Sequence, residues 1–135
     1  MKKNKPKQII GRRETVDFPE LGLFGISAKI DTGAYTSTLH CRDIKVTEGN
    51  PKVLCFKVLG SPEKEICFKE FIQKNIKNSF GEVEKRYVIK TKIKIAGRAI
   101  KSISSLTDRG AMRYPVLIGR KLLKNKFIVD VSLNY

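Results

Sequence analysis

Short apolar runs, closely spaced turn residues and a single helical stretch predict an all-β fold: a small, closed or partly closed barrel with one short helix near the C-terminus. The clearest run is Tyr87 to Ile95. Tyr87, Ile89, Thr91, Ile93 and Ile95 share one face and Lys90, Lys92 and Lys94 the other, the period of two of a half-buried antiparallel strand with a lysine-lined outer face. Only Arg120 to Asn125 reads as helix, about two turns long.

In chain order, Met1 to Lys7 is a solvated basic tail, and the domain runs from residue 8 to 135. Gln8 to Val16 opens it as a strand, and Pro19 and Gly22 mark a turn. Gly25 to Ile30 is a second strand that ends at Asp31, and Ser37 to Cys41 continues extended. Val53 to Leu59 and Glu65 to Phe71 form a hairpin around Gly60-Ser61-Pro62. Ile72 to Gly81 is polar and reads as loop. Ala96-Gly97 turns the lysine-faced strand back into Ala99 to Leu106. Val116 to Ile118, continuously apolar, is a buried strand, and Phe127 to Val131 is the last one. Leu23 to Ala34 and Ile93 to Gly110 share an order of strand, glycine, strand and aspartate turn. A duplicated β-unit and a chance likeness of two hairpins explain this equally well.

With 135 residues the chain makes one domain with one core. No apolar stretch is long enough to span a membrane, and the basic N-terminus lacks the apolar segment of a secretory signal. Lys and Arg number 28 against 13 Asp and Glu, a net charge of +15, so the partner is expected to be a polyanion, either nucleic acid or acidic protein. The lysines are dispersed and few aromatics alternate with them, so no base-stacking platform is evident. Three cysteines, Cys41, Cys55 and Cys67, an odd count without a secretion signal, predict reduced thiols in a cytoplasmic protein. No C-x-x-C pair exists, and His40 and Cys41 are adjacent, pointing to opposite faces of a strand. A zinc site is therefore not expected. Neither is ATP, because no glycine-rich loop is followed by Lys and Ser/Thr.

The chemistry concentrates at Asp31-Thr32-Gly33. A carboxylate on a tight turn straight off a strand is held rigidly at a surface. Thr32 can bond neighbouring backbone, and Gly33 leaves room for another segment to approach. As an isolated triplet this is also ordinary turn chemistry. Downstream, Pro115-Val116-Leu117-Ile118-Gly119-Arg120 places an apolar run before a glycine and the helix.

That order resembles the retropepsins, single-domain aspartic proteases of the retroviral type. It is closer still to a bacterial group of that superfamily labelled "putative ATP-dependent zinc proteases". The matching pieces are Ile10-Gly11-Arg12-Arg13-Glu14, Lys29 to Ala34, Thr36-Ser37, Leu39-His40, Arg86, Ser105-Leu106, Arg109, Met112, Pro115 to Arg120 and Val129-Asp130. The resemblance implies a retropepsin-like acid-protease barrel with Asp31, Thr32 and Gly33 as the catalytic loop. Ala34, His40, Arg86, Arg109, Arg113 and Arg120 would contact substrate, with no metal and no cofactor. One such loop per chain implies a homodimer, knit by the C-terminal Ser132 to Tyr135 strand, in which two copies of Asp31 share a proton. The bacterial group resembles proteins encoded beside, or fused to, ligases that add glutamates to proteins. That association implies a glutamate-rich substrate. Tyr35 stands where viral enzymes carry an acidic residue, and no glycine-rich flap is visible.

Asp108 and Asp130 are the carboxylates that could complete the pair within one chain. For Asp130 a salt bridge to Arg12, Arg13 or Arg120 is the favoured reading. His40 reads as a structural or site-lining histidine, and Thr36 and Ser37 as residues that satisfy backbone groups. Two other functions compete: a basic barrel that binds nucleic acid without chemistry, and a zinc hydrolase.

Overall fold

The computed structural model describes residues 6–59, 64–77, 80–108 and 114–134. Its strands are β1 (Gln8–Ile10), β2 (Arg13–Phe18), β3 (Leu23–Ile30), β4 (Ser37–Thr47), β5 (Val53–Val58), β6 (Glu65–Phe68), β7 (Ile72–Lys77), β8 (Val83–Ile95), β9 (Arg98–Thr107), β10 (Val116–Ile118) and β11 (Phe127–Val129). The helix α1 is Arg120–Leu123, and Pro19–Leu21 forms one 3-10 turn between β2 and β3. No helix among the described residues is long and apolar enough to cross a membrane.

Six strands close into a ring in the order β10, β3, β2, β8, β9, β4 and back to β10. This is the small barrel expected of a retropepsin-like chain. β5 and β6 extend the sheet outward from β4, β7 pairs with the first half of β8, and β1 and β11 form a separate two-stranded parallel sheet. Closure removes the unpaired edges that an open sheet would present.

The alternation in β8 does what it predicts. Ile89, Ile93 and Ile95 are fully buried and Thr91 nearly so, while the intervening lysines are exposed. Each buried isoleucine contributes about 1.5–3 kcal/mol relative to an exposed one. The β8–β9 hairpin turns through Ala96 and Gly97, both at positive φ (50° and 78°), the backbone that a two-residue turn between right-twisted strands demands. Val16, Phe18, Leu39 and Ile118 from the ring join Leu54 and Phe56 of β5 in one buried core.

The structure departs from the sequence reading at several places. Residues 72 to 77, read as polar loop, are β7. Its side chains are mostly exposed because it lies outside the ring, so no alternation marked it. The first strand is two, β1 and β2, broken at Gly11-Arg12. The helix is one turn rather than two. Cys55 and Cys67, expected as free thiols, face each other across β5 and β6 and form a disulfide. Their pairing depends on strand register, which their spacing of 12 residues does not reveal. Cys41 remains a free, buried thiol. The Gly60-Ser61-Pro62 turn and the Asp108-Arg109-Gly110 half of the internal duplication fall wholly or partly outside the described residues.

Candidate active site

The Asp31 loop bridges β3 and β4, and β10 inserts between these same two strands. β10 runs parallel to β3, with Ile118 beside Ile30, and antiparallel to β4, with Val116 beside Leu39. A short, wholly apolar strand suits this position, because both its edges are paired, Val116 and Ile118 are buried and Leu117 is half-buried. The insertion brings Gly119 under the loop. The Asp31 amide donates to Ile118 O at 2.9 Å, and the amides of Arg120 and Lys121 donate to Ala34 O and Tyr35 O at 2.8 and 3.0 Å. The two segments singled out in the sequence, 88 residues apart, are thus stitched together.

Gly119 is required by that approach and not by its backbone angles, which are ordinary (φ −94°, ψ 175°). A Cβ there would lie 2.6 Å from Tyr35 O and 2.8 Å from Thr36 C. The Gly119 amide donates to the buried Ser37 Oγ at 3.0 Å, so Ser37 satisfies backbone, as its sequence context indicated. Beneath Ser37 a polar chain continues into the barrel. Ser105 Oγ donates to Ser37 O (3.4 Å), pairs with Thr38 Oγ1 (3.2 Å) and accepts from Arg86 Nη1 (3.4 Å).

Asp31 is partly exposed at the mouth of this arrangement. Its Oδ1 accepts the Gly33 amide at 3.0 Å, which orients the carboxylate, and its carbonyl accepts the Ala34 amide at 3.2 Å. Thr32 and Gly33 are exposed. No hydrogen bond or ion pair among the described residues joins Asp31 to a second carboxylate. Asp108 instead lines a separate pocket with Glu84 and Arg86. Asp130 lies just past β11 and not within a strand. It is exposed and makes no ion pair among the described residues. Its Oδ1 accepts from Ser132 N (2.9 Å) and Ser132 Oγ (2.6 Å), which hold the carboxyl below the usual carboxylate range. The favoured salt bridge is thus replaced by a local turn, the cheaper way to satisfy an aspartate with a serine two residues on.

The expected substrate contacts are dispersed. Ala34 is half-buried in the loop itself. His40 is only 2% exposed, on β4 beside Thr107, and both faces of β4 are covered here, since Cys41 is buried too. Arg86 pairs with Glu84 (Nη2 to Oε2, 2.7 Å), and its side chain is 10% exposed. Arg120 donates from Nη1 to Thr32 O at 2.9 Å and lies over the Tyr35 ring, so it braces the catalytic-loop candidate from below. Arg109 and Arg113 lie outside the described residues.

A different basic cluster adjoins Asp31. Arg12, Arg13, Lys29 and Tyr114 line a cavity of about 270 Å³ with Ile30. Arg13 and Lys29 are directly opposed across β2 and β3, and neither has an ion pair among the described residues. Arg13 Nη1 donates to Tyr114 Oη at 2.9 Å, and its Nε donates to Asn134. Lys29 is exposed near the end of β3, two residues before Asp31. The sequence carried this signal, a lysine two residues before the aspartate, but not the opposed arginine, which needs the β2–β3 register.

For metal, the ligand atoms of Cys55, Glu65 and Cys67 lie within 4.8 Å of one another. Two of them are disulfide sulfurs, which lack the thiolate that zinc requires.

Comparison with known proteins places this geometry. Residues 9–135 match the profile of the RimB-like family, described as retropepsin-like aspartic endopeptidase RimB. A protein of Shewanella halifaxensis named "Probable alpha-L-glutamate ligase" is 40% identical over 136 residues, covering 96% of this chain. One of the same name from Desulfotalea psychrophila is 35% identical over 133 residues. The chain spans about 30% of the length of these relatives. A crystal structure of a Legionella pneumophila protein of unknown function is 27% identical, with a TM-score of 0.76 over 96% of this chain and 98% of that one. With the closed ring, the Asp31 loop and the inserted β10 in place, the match over nearly the whole chain shows that it belongs to the RimB-like family of retropepsin-like aspartic endopeptidases.

Proposed function

We propose that the protein is an aspartic-type peptidase acting on acidic, glutamate-rich peptide as a homodimer, with one Asp31 from each chain. The observation that carries this reading is the Asp31 loop. Its carboxylate is oriented by the Gly33 amide, the loop is stitched to Gly119 and Arg120, and no second carboxylate among the described residues is bonded to it. A peptidase of this class needs two. A second copy supplies it by symmetry.

Two facing Asp31 carboxylates share one proton, since both cannot ionise cheaply at close range. The ionised one removes a proton from a water held between them as the water oxygen attacks the scissile carbonyl carbon. The protonated one donates to the carbonyl oxygen. As the gem-diol collapses, the C–N bond breaks. The carboxyl that took the water proton passes it to the leaving nitrogen, and the other recovers its own. Thr32 and Gly33, exposed in the single chain, are the residues that a facing loop would cover.

Ile9, Ile128 and Val131 support the dimer. They are 61%, 53% and 73% exposed, and Ile9 and Ile128 are register partners on the outer β1–β11 sheet. Such an apolar patch is what a second copy would bury. Residues 130–134 make a turn back over β1, with Arg12 N donating to Leu133 O at 2.9 Å, so the contact would be made by this two-stranded sheet rather than by an extended terminal strand.

The substrate class rests on charge. The Arg12, Arg13 and Lys29 cavity beside Asp31 fits a carboxylate side chain, and charge-assisted bonds from arginine are strong and geometrically selective. The ligase named among the relatives agrees with a substrate rich in glutamate. Cleavage of a glutamate-rich peptide by the wild-type protein and by Asp31→Asn tests the reading. The amide cannot ionise or carry the proton, so the variant is expected to fold and lose hydrolysis. Retained activity in Asp31→Asn would remove the mechanism.

A further inference from the structure

A second cavity with lysines in its lining lies at β8, β9 and α1. Lys90 and Lys92 of β8, Lys101 of β9 and Lys121 of α1 rim a cavity of about 470 Å³. Thr91 and Ser102, register partners on the strand face opposite Lys92 and Lys101, also line it and are 5% and 9% exposed. All four lysines are exposed, and none has an ion pair among the described residues. Lys92 and Lys101 are directly opposed across the strands, an arrangement of like charges that costs stability. The cavity also holds one carboxylate, Glu20, which is bonded to two of its own lining residues. Its Oε1 accepts the Lys92 amide at 2.8 Å and Thr91 Oγ1 at 3.3 Å. Four lysines stand against one carboxylate here, so the cavity and the outer face of β8 and β9 beside it keep a net positive charge.

We propose that this groove is an exosite that holds an acidic tract of the substrate outside the cleavage site. The inference rests on the peptidase reading for its purpose but not for its binding. Three features favour an acidic peptide over nucleic acid. Lys90 and Lys92 leave β8 two residues apart, about 6.6 Å, the repeat at which an extended peptide presents side chains on one face. No aromatic ring lines the cavity, so bases have nothing to stack on. The groove also connects to the Asp31 loop through α1, because Lys121, which lines it, donates its amide to Tyr35 O. A chain bound at the lysines is thereby held near the loop, which raises its local concentration there.

The test uses the full chain carrying Asp31→Asn, so that ligand survives, and a fluorescein-labelled oligoglutamate peptide followed by anisotropy. Adding Lys92→Glu and Lys101→Glu is expected to weaken binding by about tenfold or more, with the loss largest at low salt. A melting curve checks folding, and Lys92→Gln with Lys101→Gln, which removes charge without reversing it, serves if the reversal unfolds the protein. Unchanged affinity in the folded double variant would overturn the exosite. Tighter binding of a single-stranded RNA oligonucleotide than of oligoglutamate, lost in the same variant, would overturn the choice of ligand. Because binding is read in a protein that cannot cleave, a failure here is distinct from a failure of the peptidase reading.

Discussion

Gly119→Ala should uncouple the catalytic-loop candidate from the barrel. The added Cβ would sit 2.6 Å from Tyr35 O and 2.8 Å from Tyr35 C and Thr36 C. These are backbone atoms, so no side-chain rotation relieves the clash. The loop or β10 must shift by several tenths of an ångström. Overpacking of this kind costs about 1–3 kcal/mol. The shift also loosens the bonds from Arg120 N to Ala34 O and from Lys121 N to Tyr35 O, each worth about 1 kcal/mol. A loss of about 2–4 kcal/mol follows, and for a domain of this size about 3–5 °C in Tm per kcal/mol. Catalysis should suffer further, because misplacing a reacting group by about 1 Å costs about a hundredfold. Thermal melts followed by circular dichroism, with kcat on an acidic peptide at a temperature where the variant is folded, separate the two effects. A Tm and kcat equal to wild type would refute the argument that close approach dictates this glycine, since its φ and ψ suit any residue.

Burial, with a lesser contribution from Asp108, pushes the Cys41 thiol up from 9.0 to about 12. A folded-state value above the unfolded one stabilises fully below about pH 9 and is lost as pH rises towards 12. Cys41 should therefore resist iodoacetamide at pH 8 in the native protein and react on unfolding in urea, as read by mass spectrometry. Native alkylation at the rate of an exposed thiol would contradict the buried position. At the outer sheet, Ile128→Asp places a charge on the apolar patch of β1 and β11 without entering the core. Sedimentation should then show a shift to monomer with parallel loss of hydrolysis, and an active monomer would exclude a site shared between two chains.

Fold class and the Asp31 loop were legible because their signals are local. β8 declares itself by alternation, the hairpin by Ala96-Gly97, and β10 by three consecutive apolar residues before a glycine. What the sequence concealed depends on pairing between distant segments. β7 lies outside the ring with little buried on either face, so its composition looks like a loop. Cys55 and Cys67 became partners only once β5 and β6 were in register. Arg86 and Arg120 were expected to contact substrate, and the structure pairs Arg86 with Glu84, two residues before it, and Arg120 with a carbonyl 88 residues away. Arginines in a +15 chain were easy to assign to substrate, and local sequence did not separate a bracing arginine from a binding one.

The bracing arginines account for a feature that composition alone made puzzling. A barrel interior this small would normally be apolar throughout, because a buried hydroxyl without a partner costs about 1–3 kcal/mol. Here Ser37, Thr38, Ser104, Ser105 and Thr107 are all buried along the β4–β9 pairing. For Ser37, Thr38 and Ser105 the cost is offset by a connected path, from Arg86 through Ser105 to Thr38 and Ser37 and on to the Gly119 amide. Apolar side chains would fill the same space but could not hold Gly119 against the loop at a fixed hydrogen-bond distance. Arg120 adds a second tie to that loop at Thr32 O. Asp31 is thus exposed at its carboxylate and rigid at its backbone. In the proposed dimer, a carboxylate meeting its symmetry mate at hydrogen-bond distance would need that rigidity, because any error in one loop is doubled across a two-fold axis.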